Sequence, residues 1–276
     1  MKAYTRCDTI IARVSGSTMA IQNKRLGVAL IGTGMVAKTH LLALADLKAD
    51  LRLTGVVSRS SQKAKVFAEE ASDLMGEPVL AYSSVDRLCS DGDVDFAIVL
   101  TPPNARRDLV DDLSAAGKAI LMEKPVERTS EAAAAIVAQC EARGVVLGIV
   151  FQHRVRAASV ALKERITSGV FGRLILVEIA VPWWREQSYY DEPGRGTYAR
   201  DGGGVLFSQA IHTLDLMLSL TGRVDRVHAM AVTTGLHAME AEDFVTAGLH
   251  FENGAVGSLV ASTASYPGDA ESIVLH

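Results

Sequence analysis

The stretch Leu26-Gly27-Val28-Ala29-Leu30-Ile31-Gly32-Thr33-Gly34-Met35-Val36-Ala37-Lys38-Thr39-His40 constrains this chain more than any other. Val28 to Ile31 are apolar without interruption, as in a parallel strand covered on both faces. Gly32 and Gly34 permit a sharp turn and a close approach of backbone to a ligand. Ala37 is small where a helix would pack on the strand. Leu41, Leu42, Leu44 and Ala45 continue as an amphipathic helix. Free N–H groups in the turn Gly32, Thr33, Gly34, Met35 and Val36, at the positive end of that helix, point to the diphosphate of a dinucleotide. The alternative is the same strand, turn and helix with nothing bound. His40 lies inside the helix and is expected to pack rather than to act.

The chain is long enough for two cores, with 276 residues of which 49% are hydrophobic. The expected division is an N-terminal extension over 1–25, a nucleotide-binding domain over 26–151 and a second domain over 152–276. The formal net charge is -4 and the charges are scattered, which argues against a nucleic-acid partner. Cys7, Cys89 and Cys140 are odd in number and form no CxxC pair. They point to a reducing compartment, the cytoplasm, and away from a disulfide framework or a metal site. No apolar run is long enough for a bilayer, so no membrane partner is expected. Before the glycine turn, Ile10-Ile11-Ala12 is short and broken by Arg13, which excludes a secretory signal. Met19 is an alternative start.

Leu51 to Val57 read as the second strand, ending at Ser58-Arg59-Ser60. An acid at this strand end would hold the ribose hydroxyls of NAD. Ser58 stands there instead, followed by Arg59, with Lys63 one turn into the next helix (Gln62 to Ala71). A carboxylate repels a 2′-phosphate, whereas a serine and a guanidinium bind one, so NADP is favoured, with NAD possible. The alternative is that Arg59 and Lys63 are merely solvated. Strands are expected near Val79 to Ala81, Asp95 to Leu100, Ala119 to Met122 and Val145 to Phe151, with helices Ala105 to Ala116 and Thr129 to Gly144 between them. That alternation gives a doubly wound parallel sheet. Ligands bind such sheets at the carboxyl ends of the strands. There, Thr101-Pro102-Pro103-Asn104 forms a stiff loop that would wall the nicotinamide pocket, or a plain turn. Glu123-Lys124-Pro125 arrives at the same edge, and a lysine partly buried beside a cofactor is suited to polarising a hydroxyl. The alternative is a surface Glu–Lys pair. Gln152 follows the sixth strand and is expected to be a further cofactor contact.

After Gln152-His153-Arg154 the pattern changes. A helix from Val155 to Ser168 leads to strands over Arg173 to Val181, Arg223 to Thr233, Phe244 to Phe251 and Ala255 to Ser262, some joined by short turns. That spacing implies an open, mainly antiparallel sheet in an α+β second domain. Pro182-Trp183-Trp184-Arg185, Tyr189-Tyr190 and Arg195-Gly196-Thr197 make an aromatic and basic loop, either a wall for a polar substrate or a packing edge. Gly202-Gly203-Gly204 precedes a helix from Val205 to Leu220 in which Ser208 and His212 share a face. His212 is an acid/base candidate, although a lone helical histidine is more often structural.

The glycine turn, Glu123-Lys124-Pro125 and Gly202-Gly203-Gly204 followed by His212, in this order, resemble the glucose-fructose oxidoreductase / inositol dehydrogenase family (Gfo/Idh/MocA). The resemblance covers about Leu26 to the end. It implies an N-terminal Rossmann domain and a C-terminal domain whose open sheet forms the substrate face and often an interface between copies, here a homo-oligomer. It implies reversible oxidation of a sugar, polyol or cyclic diol by a nicotinamide cofactor. Lys124 would be the active-site lysine and His212 the acid/base histidine. Members commonly carry an aspartate four residues before that histidine, where this chain has Ser208, which would orient His212 or relay its proton. Arg106 stands where members often have histidine. Members also usually continue past Ile273-Val274-Leu275-His276, so the last sheet is expected to be cut short inside a strand. The substrate would be held by Arg154, Trp184 and Arg195. A non-catalytic NADP(H) sensor is the alternative function.

Overall fold

The computed structural model describes residues 25–276. The proposed extension over 1–25 and the alternative start at Met19 therefore lie outside the described residues, apart from Arg25. In the first half, strands β1 (Leu26–Ile31), β2 (Leu51–Val57), β3 (Leu80–Ala81), β4 (Phe96–Val99), β5 (Ala119–Met122) and β6 (Leu147–Ile149) form one sheet in the order β3-β2-β1-β4-β5-β6. Every pairing in it is parallel. Helices α1 (Ala37–Asp46), α2 (Ser61–Met75), α3 (Val85–Ser90), α4 (Arg107–Ala115) and α5 (Ser130–Ala142) lie between the strands. Successive residues of β1 feed opposite cores: Val28 and Leu30 pack with Leu41, Leu44 and Leu53, whereas Ala29 and Ile31 pack with Val99, Leu113 and Met122. A strand with both faces buried has no polar position to spare, which is why its sequence reads as an unbroken apolar run.

Local chemistry sets the helix ends. The Ser60 hydroxyl accepts from the Lys63 N–H at 3.3 Å and the Thr129 hydroxyl from the Ala132 N–H at 3.2 Å. Such caps contribute about 1 kcal/mol each. Between β4 and α4 the Pro102-Pro103 pair folds a 3-10 turn, Pro103–Ala105, so α4 begins later than its sequence suggests.

A 3-10 turn at Gln152–Val155 and helix α6 (Ala157–Thr167) lead to the second sheet. Its strands are β7 (Leu176–Pro182), β8 (Val224–Val232), β9 (Phe244–Phe251), β10 (Val256–Ser262) and β11 (Ser272–Leu275), in the order β11-β7-β10-β9-β8. The β7–β10 pair is parallel and the others are antiparallel. A short helix, α7 (Gln187–Tyr190), follows β7, and α8 (Ile211–Thr221) precedes β8. One sheet face is apolar: Ile179, Val181, Val245, Leu249 and Leu259 pack with Met217 of α8. No helix among the described residues is long and apolar enough to cross a membrane.

The helix expected over Val205 to Leu220 is not uniform. It opens with a π turn, Leu206–Ala210, before α8. The triple glycine is a packing requirement at this point. A Cβ on Gly204 would lie 1.7 Å from the Glu242 carbonyl oxygen, so only glycine lets that backbone pass. Glu242 then caps the helix entry, its carboxylate accepting the N–H groups of Gly204 at 3.0 Å and Leu206 at 3.2 Å.

Candidate active site

The β1–β4 junction is where strand order reverses, and crevices open there at the carboxyl ends of the strands. Gly32 turns the chain with φ +108°, and its N–H donates to the Val57 carbonyl at 2.9 Å. It therefore supplies the bend rather than a free donor. A Cβ on Gly34 would meet no protein atom within 4 Å. The N–H groups of Thr33, Gly34, Met35 and Val36 donate to no acceptor among the described residues, and α1 has no side-chain cap and no acid in its first turn. Free donors, open space at Gly34 and an uncapped helix start fit a dinucleotide diphosphate. The Thr33 hydroxyl donates to the Ser58 hydroxyl at 3.1 Å, tying the first two strand ends together. Beyond Ser58, neither Arg59 nor Lys63 pairs with an acid among the described residues. Arg59 follows the end of β2, and Lys63 lies in the first turn of α2.

Lys124 comes off β5 into the same crevice. Its ammonium donates to the Ser208 carbonyl at 2.8 Å, joining the first sheet to the π turn of the second half. The wider turn interrupts the helical hydrogen-bond ladder, and the Ser208 carbonyl serves Lys124. Burial pulls the Lys124 ammonium below its usual range; the Glu123 charge opposes this and the Arg106 charge adds to it. Glu123 does not form a surface pair. Its Oε1 lies 2.8 Å from His40 Nε2, and both side chains are 15% exposed. His40 is thus not simply packed, because it anchors the glutamate beside the lysine. Burial pushes the Glu123 carboxyl up, but the His40 hydrogen bond and the charges of His40 and Lys124 outweigh it and the net shift is downward.

Arg106 holds this loop from behind. It is 2% exposed, and its guanidinium donates to the carbonyls of Thr101 at 2.7 and 2.9 Å, Lys124 at 3.5 Å, Glu123 and Pro125. Burial pushes its pKa down to about 10, which leaves it charged near neutrality, and Glu123 and Glu127 oppose the shift. Pro102 and Asn104 lie on the neighbouring turn, and the Thr101 hydroxyl is buried without a partner.

His212 sits in the first turn of α8. Its Nδ1 is buried without a hydrogen-bond partner. The Ser208 hydroxyl therefore does not orient His212, contrary to the expectation from their spacing; Ser208 contributes its carbonyl, to Lys124, instead. The His212 ring lies 5.1 Å from that of His153 and 6.3 Å from that of Phe151. His153 Nδ1 stands 3.4 Å from Glu271 Oε1, and the Thr213 hydroxyl donates to Glu271 Oε2 at 2.6 Å. His153, Glu271 and Glu242 were not visible as site residues in the sequence, since each acts across a long chain separation.

Burial, then the Lys124 and His153 charges, push the His212 pKa down to about 4. At neutral pH the imidazole is therefore neutral and able to take a proton. The folded value lies below the ordinary 6.5, so the unfolded chain binds the proton more readily. The His212 contribution to stability is present above about 6.5 and is lost as pH falls through about 4. The acid limb of kcat/KM is expected close to 4 rather than 6.5. A pH–rate profile with its acid midpoint at 6 or above contradicts this assignment.

The expected substrate residues are placed less simply. Arg154 forms a two-point pair with Asp215, with Nη2 to Oδ1 at 2.6 Å, and so braces the Gln152–Val155 turn against α8. This engages the guanidinium that was expected to hold substrate. Trp184 stands edge-on to Tyr266 at 5.2 Å. Arg195 pairs with Glu192 and lies 4.3 Å over the Tyr189 ring. A hollow of about 490 Å³ is lined mostly by aliphatic side chains such as Leu162, Ile166 and Leu220 and contains none of these groups.

Two family models match the chain. One, described as an oxidoreductase family with an NAD-binding Rossmann fold, covers residues 26–151, and the other, a GFO/IDH/MocA C-terminal domain, covers 159–276. The rhizopine catabolism protein MocA of Rhizobium meliloti is 27% identical over 249 residues, 89% of this chain and 74% of that protein. An inositol 2-dehydrogenase of Rhizobium meliloti is 26% identical over 70% of this chain and 54% of its own length. The WlbA dehydrogenase of Bordetella pertussis, solved in complex with NADH and UDP-GlcNAcA, superposes with a TM-score of 0.82 at 30% identity, over 91% of this chain and 75% of that one. The chain thus spans between about half and three quarters of the length of these proteins.

Proposed function

The chain belongs to the Gfo/Idh/MocA family of oxidoreductases, and we propose that it moves a hydride between NADP(H) and a CH–OH carbon of a sugar, polyol or cyclic diol. One observation carries the reading. The Lys124 ammonium, from the end of β5, donates to the Ser208 carbonyl in the turn that leads to His212. A cation and a neutral base meeting at a nucleotide crevice are the pair that alcohol oxidation requires.

The bound nicotinamide would supply the hydride acceptor or donor. The chain supplies the rest. With the cofactor bound, Thr33, Gly34, Met35 and Val36 would offer their free backbone N–H groups to the diphosphate, and Ser58, Arg59 and Lys63 would hold the adenosine ribose and its phosphate. Thr101, Pro102, Asn104, Glu123 and Gln152 would frame the nicotinamide. His212 takes the proton of the substrate hydroxyl at a ring nitrogen as the carbinol C–H bond breaks, and the Lys124 ammonium stabilises the oxygen as negative charge grows on it. Trp184 and Arg195 hold the substrate at a point away from its reacting carbon, while Arg154 acts through its brace on α8. Among the relatives, the inositol dehydrogenase and the WlbA complex with UDP-GlcNAcA support a sugar or polyol substrate.

The preference for NADP is tested at Arg59. Wild-type protein is expected to bind NADPH more tightly than NADH. Arg59→Asp is expected to weaken NADPH by roughly 10- to 100-fold, the worth of one charge-assisted contact. Equal affinities in the wild type, unchanged in the variant, contradict the assignment. Turnover on a panel of polyols and ketones separates the enzyme from a sensor, which would bind NADPH tightly and convert nothing. The open face of the second sheet carries exposed Val256, Val260 and Met230, and we assign homo-oligomerisation to it. Light scattering on Val260→Glu is expected to show a smaller species than the wild type.

A further inference from the structure

The loop between β7 and the triple glycine stacks two arginines, Arg185 and Arg195, on one tyrosine ring. The Arg185 guanidinium lies 4.9 Å from the Trp183 ring centroid and 5.3 Å from that of Tyr189. Its one hydrogen bond is from Nη1 to the Trp184 carbonyl at 3.1 Å. Its Nε is buried without a partner, and it forms no ion pair with a described residue. Arg195 lies 4.3 Å over the same Tyr189 ring, also with Nε buried and unpartnered, and it shares Glu192 with Arg200.

The loop itself carries Glu186, Asp191, Glu192 and Asp201, of which Glu192 pairs with Arg195 and Arg200 and Asp201 with Arg200. Asp269 lines a hollow of about 380 Å³ together with Trp183, Trp184 and Arg185, but its Oδ1 accepts the Ala270 N–H at 2.7 Å. Asp243, fully buried, accepts from the Thr234 N–H and hydroxyl, and its Oδ2 lies 2.7 Å from His237 Nδ1. His237 Nε2 in turn meets the Arg185 carbonyl at 2.9 Å. That buried chain fixes the Arg185 backbone while leaving its guanidinium free.

Tyr189 links these cations to the reacting centre. Gln209 is 2% exposed; its Nε2 approaches the Tyr189 hydroxyl at 3.4 Å, and its Oε1 is buried without a donor. Gln209 follows Ser208, whose carbonyl takes Lys124, and lies one turn before His212. Aromatic rings favour a guanidinium beside them, yet buried N–H groups without acceptors are costly. Arg185 Nη2 has no partner among the described residues and is not sealed from solvent, so a planar anion can accept from it.

We propose that the substrate is an acidic sugar whose carboxylate or phosphate is held by Arg185 and Arg195 while its carbinol carbon lies at Lys124 and His212. This rests on the oxidoreductase reading above and narrows its substrate class. The test is a binding measurement, so it does not depend on turnover. The chain has 2 tryptophans, Trp183 and Trp184, both in this loop, and their fluorescence reports occupancy. Full-length protein loaded with NADPH is titrated with uronates of the gluco, galacto and manno series, with the matching hexose 6-phosphates and with the parent hexoses.

At least one acidic series is expected to bind about 10- to 100-fold more tightly than its parent hexose. The uronate arm reports a carboxylate ligand and the 6-phosphate arm a phosphate ligand. Arg185→Gln is expected to abolish most of that preference, and Arg185→Lys, which keeps the charge and loses the fork, to restore part of it. Parent hexoses binding as well as both acidic series, no detectable acid binding, or an Arg185→Gln preference equal to the wild type overturns the proposal. Failure of hydride transfer is read separately, from loss of the Lys124 and His212 dependence of turnover.

Discussion

Replacing Lys124 with methionine is expected to lower kcat by roughly 10³-fold, the scale on which positioned acids, bases and oxyanion donors act. Methionine keeps most of the volume and removes the ammonium. The substrate oxygen then develops its charge with no cation beside it, and the Ser208 carbonyl loses its 2.8 Å partner. His212→Ala is expected to cost a similar factor, because the neutral imidazole is the group placed to accept the proton. The double variant should be little worse than either single one, since two groups acting in one step do not contribute additively. Single-turnover rates of NADPH consumption, with substrate saturating, make the comparison. Near-normal turnover in either single variant, with NADPH still bound, removes the assignment.

Arg106→Met is expected to destabilise the protein by about 3–5 kcal/mol, as when one member of a buried charged network is deleted. The guanidinium serves the carbonyls of Thr101, Glu123, Lys124 and Pro125, and it is 2% exposed. Its removal leaves several buried acceptors without a donor, and no side chain of the replacement can reach them. In a chain of this size each kcal/mol moves the melting temperature by about 2–4 °C, so a fall of roughly 6–20 °C is expected. Arg106→Lys keeps the charge but cannot span all four carbonyls, and it should lie between the two. Thermal unfolding followed by circular dichroism decides the matter, and a fall of less than about 2 °C for Arg106→Met shows that the loop is held by something else. Because the clamp grips the residues on both sides of the Lys124 side chain, kcat should fall in folded Arg106→Lys as well.

The parts of this molecule that were legible in the sequence are those specified locally. The unbroken apolar run Val28 to Ile31, closed by the glycine turn, falls inside β1, and the stretch Leu51 to Val57 matches β2 end for end. Glycine turns and hydroxyl caps identify themselves by residue type, as at Gly32 and Thr129. Two short helices escaped, α3 and α7, because one turn or so of helix leaves no periodicity to detect. In the site, the Glu123-Lys124-Pro125 edge could be read from its position at the end of a strand. The contacts that give it meaning could not. His40 reaches Glu123 from another element, Glu242 caps a helix from a distant loop, and Glu271 meets His153 and Thr213 from just before β11. The Ser208–His212 spacing misled because an assumed regular helix put the two side chains together, whereas the π turn gives Ser208 a different partner.

The most direct test of the account is the imidazole of His212 itself, followed by NMR titration of its C2 proton in wild-type protein and in Lys124→Met. The wild-type ring is expected to titrate near 4, held down by burial and by the lysine charge, and the ring in the variant at a distinctly higher pH. The same midpoint in both proteins would mean that the ammonium and the imidazole do not share one crevice.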